Sequence, residues 1–270
     1  MRRIYLLFIL LCVSYLSCTS DNFGIEDVLQ INVPKKELVN ETSRIIAHRG
    51  VWAETNLPPN SLAAFKEALE MDIYGSECDV RQTKDKQLVI CHDPTHDGLS
   101  ISKSSYATLS QHLLDNGEPL PLLDNFLEVL SKDTGRVRLV LDLKSCSMTT
   151  LLNMISSFGV LDRVDFISNK EDYCAFLEKY SLGYKTFPLG GSLPPMEVKK
   201  KGYGGIDYPL STFQTHPEWI AEAQDYGLQV WTWTANNEGT IKKYLKQGVY
   251  VTTDYPARAR EIEKQLSIER

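Results

Sequence analysis

From Arg44 onward the chain alternates short β-branched runs with stretches of helical periodicity, a rhythm that few folds accommodate. The strand-like runs fall at 45–48, 75–82, 138–144, 164–168, 184–187, 204–208, 229–234 and 249–253. Helical patterns lie between them at about 60–71, 121–132, 147–158, 170–181, 215–226 and 237–247, and a last helix opens at Pro256. In the first helix Leu62, Phe65 and Leu69 recur at i, i+3 and i+7 behind an Asn60-Ser61 cap. Such alternation dictates a parallel sheet, because each helix is the crossover that carries the chain back to the same end. Eight strands of this kind predict a closed (β/α)8 TIM barrel, and the roughly 230 residues available approach the ~250 typical of one.

The run 88–91 breaks the rhythm. It follows strand two too closely for a parallel crossover, so the two are expected to form an antiparallel hairpin, an extension after strand two. With Asp85-Lys86 as a two-residue turn, Asp79 falls opposite His92. Cross-strand Cβ atoms stand about 4.5–5.5 Å apart, so this register sets His92 beside the acidic residues of strand two.

The first residues follow another logic. A basic Met1-Arg2-Arg3 precedes an apolar run over 4–16 and then Ser17-Cys18. That run is short for a bilayer span and suits an export signal. A small residue directly before a cysteine has the form of a bacterial lipoprotein cleavage site. Residues 1–17 are therefore expected to be an export signal, Cys18 a lipid anchor to the membrane, 18–42 a tether and 43–270 the barrel. The protein would be an exported lipoprotein, periplasmic or at the cell surface. Removing Arg2 and Arg3 takes the formal net charge from −6 to −8, and no Lys/Arg-rich stripe appears, which argues against nucleic acid as a partner. Beyond the signal, Cys78, Cys91, Cys146 and Cys174 form no C-x-x-C and read as buried thiols. No repeat or heptad pattern speaks to oligomeric state.

Three short segments carry the chemistry: His48-Arg49-Gly50, Glu77-Cys78-Asp79 and His92-Asp93. Residues i and i+2 of a strand share a face, so Glu77 and Asp79 project together while Cys78 turns away. Two hard oxygen ligands side by side suit Mg²⁺ or Ca²⁺ better than a soft metal. His48 and His92 are proton-transfer candidates, since histidine titrates near neutral pH. Arg49 can hold a phosphate. Trp233 and Tyr208 end strands seven and six, where they shape a pocket or simply pack. Asp254 reads as the residue that fixes the last βα turn, and the Lys199-Lys200-Lys201 run as a solvated helix end.

At this point the chain resembles the glycerophosphodiester phosphodiesterases. The residues that carry the resemblance are Ala47-His48-Arg49-Gly50, Asn60-Ser61-Leu62-Ala63-Ala64-Phe65, Glu77-Cys78-Asp79-Val80, Thr83-Lys84-Asp85, Val89-Ile90-Cys91-His92-Asp93, Leu141-Asp142-Leu143-Lys144, Trp233-Thr234-Ala235-Asn236 and Thr253-Asp254-Tyr255-Pro256. They stand in family order from about Arg44 to Arg258. The resemblance implies a (β/α)8 barrel with its site at the C-terminal ends of the strands and one divalent cation bound by Glu77 and Asp79. It also implies acid and base roles for His48 and His92. Asp142 and Lys144 occupy the family's carboxylate-x-lysine position, so Asp142 would complete the metal set and Lys144 would lie near phosphoryl oxygens. Two departures stand out. The family's usual Glu is Asp142 here, as in the related sphingomyelinase D-like barrels, and Pro59-Asn60 replaces the usual Glu-Asn, which bears on the support of His48 and Arg49.

The function expected is metal-dependent hydrolysis of small glycerophosphodiesters to an alcohol and glycerol 3-phosphate. One alternative is phospholipase D-like cleavage of lysophospholipid or sphingolipid headgroups through a cyclic phosphate, which calls for an apolar rim such as Leu99, Ile101, Tyr106 and Leu109 would supply. The other is a barrel that binds headgroups without turning them over.

Overall fold

A computed structural model describes residues 43–180 and 185–268. The expected signal, Cys18 and the tether lie outside the described residues. Eight parallel strands carry the fold: β1 Ile45–Ala47, β2 Gly75–Gln82, β3 Arg138–Ser145, β4 Val164–Ser168, β5 Thr186–Pro188, β6 Gly205–Pro209, β7 Gln229–Trp233 and β8 Tyr250–Thr253. Their order in the sheet is β5-β4-β3-β2-β1-β8-β7-β6. The two ends meet where the Gly204 N–H donates to the Thr186 carbonyl at 3.0 Å, so the sheet is a nearly closed barrel. The expected strands all appear, with boundaries shifted by a residue or two.

Outside the barrel run α1 Leu62–Leu69, α2 Leu123–Lys132, α3 Met148–Phe158, α4 Glu171–Lys179, α5 Pro195–Lys200, α6 Trp219–Asp225, α7 Glu238–Lys246 and α8 Pro256–Ile268. Helix α5, with a single buried turn, has too short a period to register in the sequence, although the lysine run does form its solvated end. A further short helix, Leu210–Thr215, precedes α6. Strand alternation sends one set of side chains outward to the helices and the other into the barrel. Tyr208 belongs to the outer set. It is buried in the outer core cluster and its hydroxyl donates to the Leu193 carbonyl at 2.7 Å, so it does not join the inward-facing set.

The barrel interior is filled, not hollow. Ile46, Tyr74, Val140, Ile167, Phe187, Leu189, Trp231 and Tyr250 form one cluster, with Phe187 stacked on Trp231 at 3.9 Å between centroids. A Cβ on Gly205 would fall 2.1 Å from the Gln229 carbonyl oxygen and 2.6 Å from the Phe187 ring, so only glycine lets β6 close against that stack. Near the strand N-termini Asp165, wholly buried, takes two hydrogen bonds from Arg138 at 2.5 and 2.9 Å and one from the Tyr74 hydroxyl at 2.7 Å. Burial alone would raise its carboxyl, but these partners hold it below the usual range. The polar groups left over gather at the opposite end.

The hairpin forms, with a different register. The return strand Leu88–Ile90 pairs antiparallel to β2, but Val80 faces Ile90 and the Cys91 N–H donates to the Asp79 carbonyl. Asp79 therefore does not face His92. The cause is the turn. Asp85-Lys86 has no glycine for the two positive φ angles of a type I′ loop. The chain instead uses the three residues Lys84, Asp85 and Lys86, with only Lys86 left-handed at φ +68° and the Thr83 N–H bonded to the Gln87 carbonyl. Asp85 stiffens that loop by accepting from the Thr83 hydroxyl and from the Tyr106 N–H.

The apolar residues expected to form a rim face inward. Ile101, Leu109 and Leu120 are buried with Val89 under the loop, and Leu99 and Tyr106 pack against them. Cys78, Cys91, Cys146 and Cys174 are free thiols; Cys78 and Cys174 are buried as expected, whereas Cys91 and Cys146 are only half-buried.

Candidate active site

The loop after β1 is built on two left-handed residues in succession, Arg49 at φ +59° and Gly50 at φ +82°. A Cβ on Gly50 would meet the Ala64 backbone at 2.7 Å, so glycine lets this loop lie directly on α1. Ser61 caps α1 by accepting from the Ala64 N–H at 3.0 Å, and Glu118 takes the Leu62 and Ala63 N–H groups. That fixes Asn60, which donates to Asp79 Oδ2 at 2.8 Å and accepts from the Asp79 N–H at 3.2 Å. Pro59 is exposed and takes no part in this network.

Register completes the acidic centre. Asp79 on β2 stands opposite Asp142 on β3, with Glu77 one inward step below. Glu77, Asp79 and Asp142 each bring a carboxylate oxygen within 4.8 Å of the others, and all three are buried. Burial first, then the charges of Asp79 and Asp142, push Glu77 well above its ordinary value. Burial likewise raises Asp142, against the pull of Lys144. Three buried carboxylates gathered at one point call for positive charge, and Asp142 Oδ1 has no hydrogen-bond partner. An all-oxygen set of this kind fits a hard divalent cation.

The protein's own cations offset part of that deficit. Lys144 Nζ lies 2.5 Å from Asp142 Oδ2 and 3.2 Å from Asp79 Oδ1. The Arg49 N–H donates to Glu77 Oε2 at 2.9 Å, and its Nε sits 3.3 Å from Asp79 Oδ2, off the line of a hydrogen bond. The indole of Trp233 donates to the Asp207 carbonyl at 3.2 Å while its ring packs on the interior cluster. Asp207 is buried beneath this layer; burial and then the charge of Asp142 raise its carboxyl well above the usual range.

Both histidines present Nδ1 to an aspartate. His48 Nδ1 is 2.7 Å from Asp254 Oδ1, and Asn236 donates to Asp254 Oδ2 at 2.6 Å. Burial opposes ionisation of Asp254, yet His48, Asn236 and Arg49 together lower it, so Asp254 is a carboxylate and His48 Nδ1 the donor. Nε2 is thereby left for proton transfer. Sequence reading took Asp254 for a turn residue; its place at the C-terminal end of the last barrel strand was the signal for more. His92 lies beyond the return strand, with Nδ1 2.8 Å from Asp93 Oδ1. A second residue missed from sequence is Arg81, whose Nε and Nη2 both donate to the His92 carbonyl, at 3.0 and 2.6 Å.

Comparison with known proteins points the same way. Residues 48–140 match the profile of the glycerophosphoryl diester phosphodiesterase family. A solved glycerophosphodiester phosphodiesterase from Parabacteroides distasonis ATCC 8503 is 30% identical with a TM-score of 0.80, and the alignment covers 84% of this chain and 99% of that one. A glycerophosphodiester phosphodiesterase from Caldanaerobacter subterraneus subsp. tengcongensis is 25% identical over 78% of this chain and 94% of its own length. A phosphodiesterase from Oleispira antarctica, solved in complex with the product sn-glycerol-3-phosphate, is 25% identical with a TM-score of 0.66 over 81% of this chain and 95% of that one. With barrel, acidic centre and paired histidines in place, likeness over almost the whole length of those proteins makes this chain a member of the glycerophosphodiester phosphodiesterase family, a phosphoric diester hydrolase.

Proposed function

We propose that the protein hydrolyses small glycerophosphodiesters to an alcohol and glycerol 3-phosphate, with one divalent cation, Ca²⁺ or Mg²⁺, held by Glu77, Asp79 and Asp142. The observation that carries this reading is the buried triad of Glu77, Asp79 and Asp142, in which Asp79 and Asp142 stand opposite each other in register, together with two aspartate-backed histidines, His48 and His92. A bound cation supplies charge for the phosphoryl oxygens. Arg49 and Lys144, no longer needed to neutralise the triad, add positive charge on the same side of the phosphate. His48 and His92 exchange protons through Nε2, one accepting from the attacking hydroxyl and the other donating to the leaving alkoxide. The attacking group is the substrate's own hydroxyl next to the phosphate, followed by water on a cyclic phosphate. Trp233 forms a wall of the pocket. The same reading extends to residues 1–17 as an export signal and to Cys18 as a lipid anchor, on the strength of the basic start and the apolar run at 4–16.

The inward packing of Ile101 and Leu109 gives no support to a lysolipid substrate held by that segment. The test is ³¹P NMR of glycerophosphocholine, glycerophosphoethanolamine and lysophosphatidylcholine with the wild type and His48→Ala. Glycerol 3-phosphate from the first two, lost in the variant, is the expected result. Turnover of the lysolipid alone would overturn the reading.

A further inference from the structure

Alternation places Arg81 on the same face of β2 as Glu77 and Asp79, and Lys144 on the same face of β3 as Asp142. In unbroken register these two cations would be cross-strand neighbours, because Val80 faces Leu143. Like charges directly opposite are destabilising. The ladder avoids this with a β-bulge: after Val80 and Leu143 the next pair is Arg81 with Ser145, so Lys144 is the extra residue. Bulges beside active sites re-aim side chains. Here the bulge separates the cations, sending Lys144 to Asp142 and Asp79 and leaving Arg81 to reach across the hairpin.

His92 needs such a partner. The return strand ends at Ile90, and the last ladder bond on that side is made by the Cys91 N–H, so no sheet register holds His92. Its side-chain partner Asp93 is 72% exposed, and an exposed pair of that kind constrains little. The Arg81 fork is different. Two N–H groups of one planar, half-buried guanidinium converge on the His92 carbonyl at 3.0 and 2.6 Å, a geometry that an ammonium cannot reproduce.

We propose that Arg81 is a positioning residue, whose fork on the His92 carbonyl fixes the backbone that aims the His92 imidazole at the carboxylate centre. The proposal rests on the proton-transfer role assigned to His92 above. Arg81 acts through His92, so its removal slows the chemical step without weakening binding.

The experiment is a double-mutant cycle on the full chain, with Arg81→Met, Arg81→Lys, His92→Ala and the double variants. Turnover of glycerophosphocholine and of the p-nitrophenyl diester of glycerol phosphate is measured together with calorimetric Ca²⁺ and Mg²⁺ affinity. Arg81→Met is expected to lower kcat on glycerophosphocholine about 10- to 100-fold, the range typical of lost orienting partners. KM should stay within threefold and cation affinity within twofold. In the His92→Ala background the same change should cost less than twofold, and Arg81→Lys should recover only a minor part of the loss. An equal loss with and without His92 would overturn the proposal, as would a rise in KM at unchanged kcat, which would mark Arg81 as a phosphate ligand. A third arm does not depend on activity: in ¹⁵N-histidine-labelled protein, Arg81→Met should shift or split the His92 ring resonance. An unchanged resonance overturns the proposal. Absence of turnover in the wild type with a shifted resonance would instead sink the functional reading and leave the positioning role standing.

Discussion

Asp254 accepts a hydrogen bond from His48 Nδ1 at 2.7 Å across 206 residues of chain, joining the last barrel strand to the first. β1 and β8 are neighbours in register, Ala47 beside Thr253, so each contributes its next residue to the pair. Asn236, from the loop after β7, holds the second carboxylate oxygen and also accepts from the Asp254 N–H at 3.0 Å. Barrel closure thus sets the tautomer and direction of His48, a task that no local segment performs.

Asp254→Asn should therefore lower kcat by about two orders of magnitude with KM changed less than threefold, since an amide can offer its N–H to Nδ1 and favour the wrong tautomer. Steady-state kinetics on glycerophosphocholine decides this. An unchanged kcat would leave the pair with a structural role only.

Lys144 offsets part of the negative charge of Asp142 and Asp79, the charge a bound cation would otherwise neutralise. Lys144→Met should destabilise the EDTA-treated protein, with a fall in Tm of about 5 °C, since it strips a partner from a largely buried ion pair. Saturating Ca²⁺ or Mg²⁺ should restore most of that loss, and calorimetry should show cation affinity equal to or tighter than wild type. The same fall in Tm with and without cation would contradict the assignment.

The raised pKa values of Glu77 and Asp142 have a definite consequence for stability. A carboxyl whose folded value lies above its unfolded one contributes stability at pH below the unfolded value of ~4, and that contribution is lost as pH rises through the folded value. The cation-free protein should lose stability from these groups as pH rises above about 4. A cation binds the ionised forms, so its stabilisation should grow with pH. Thermal shifts from millimolar Ca²⁺ or Mg²⁺ are expected to be larger at pH 8 than at pH 5, and equal shifts would count against metal binding by this triad.

Gly50→Ala should cost about 2–3 kcal/mol, from its left-handed φ of +82° and a Cβ placed 2.7 Å from the Ala64 backbone. Chemical denaturation measures it. A loss below 0.5 kcal/mol would show that the loop can lift off α1, and activity should then persist.

Much of this was legible from residue types alone. β-branched runs announced all eight barrel strands, and i, i+2 spacing brought Glu77 and Asp79 to one face, where register then added Asp142. The hairpin was legible as an element but not in its register, because one residue of turn length hangs on whether Lys86 takes a positive φ. His92 consequently lies beyond the ladder, and its carbonyl is held by the Arg81 fork, a contact the strand pattern does not show. Asp254 and Asn236 act through contacts that exist only once the barrel closes; Asp254 holds His48, and the Asn60 N–H donates to the Arg49 carbonyl at 2.9 Å, while Pro59 is exposed.

The central claim is a divalent cation on Glu77, Asp79 and Asp142 serving phosphodiester hydrolysis. It is tested most directly by following glycerol 3-phosphate release from glycerophosphocholine in one sample, first as prepared, then with EDTA, then with Ca²⁺ or Mg²⁺ in excess. The account predicts release that stops with EDTA and resumes with one of the two cations, and no release at any stage from Asp79→Asn. Release that continues undiminished in EDTA, or that survives in Asp79→Asn, would contradict it.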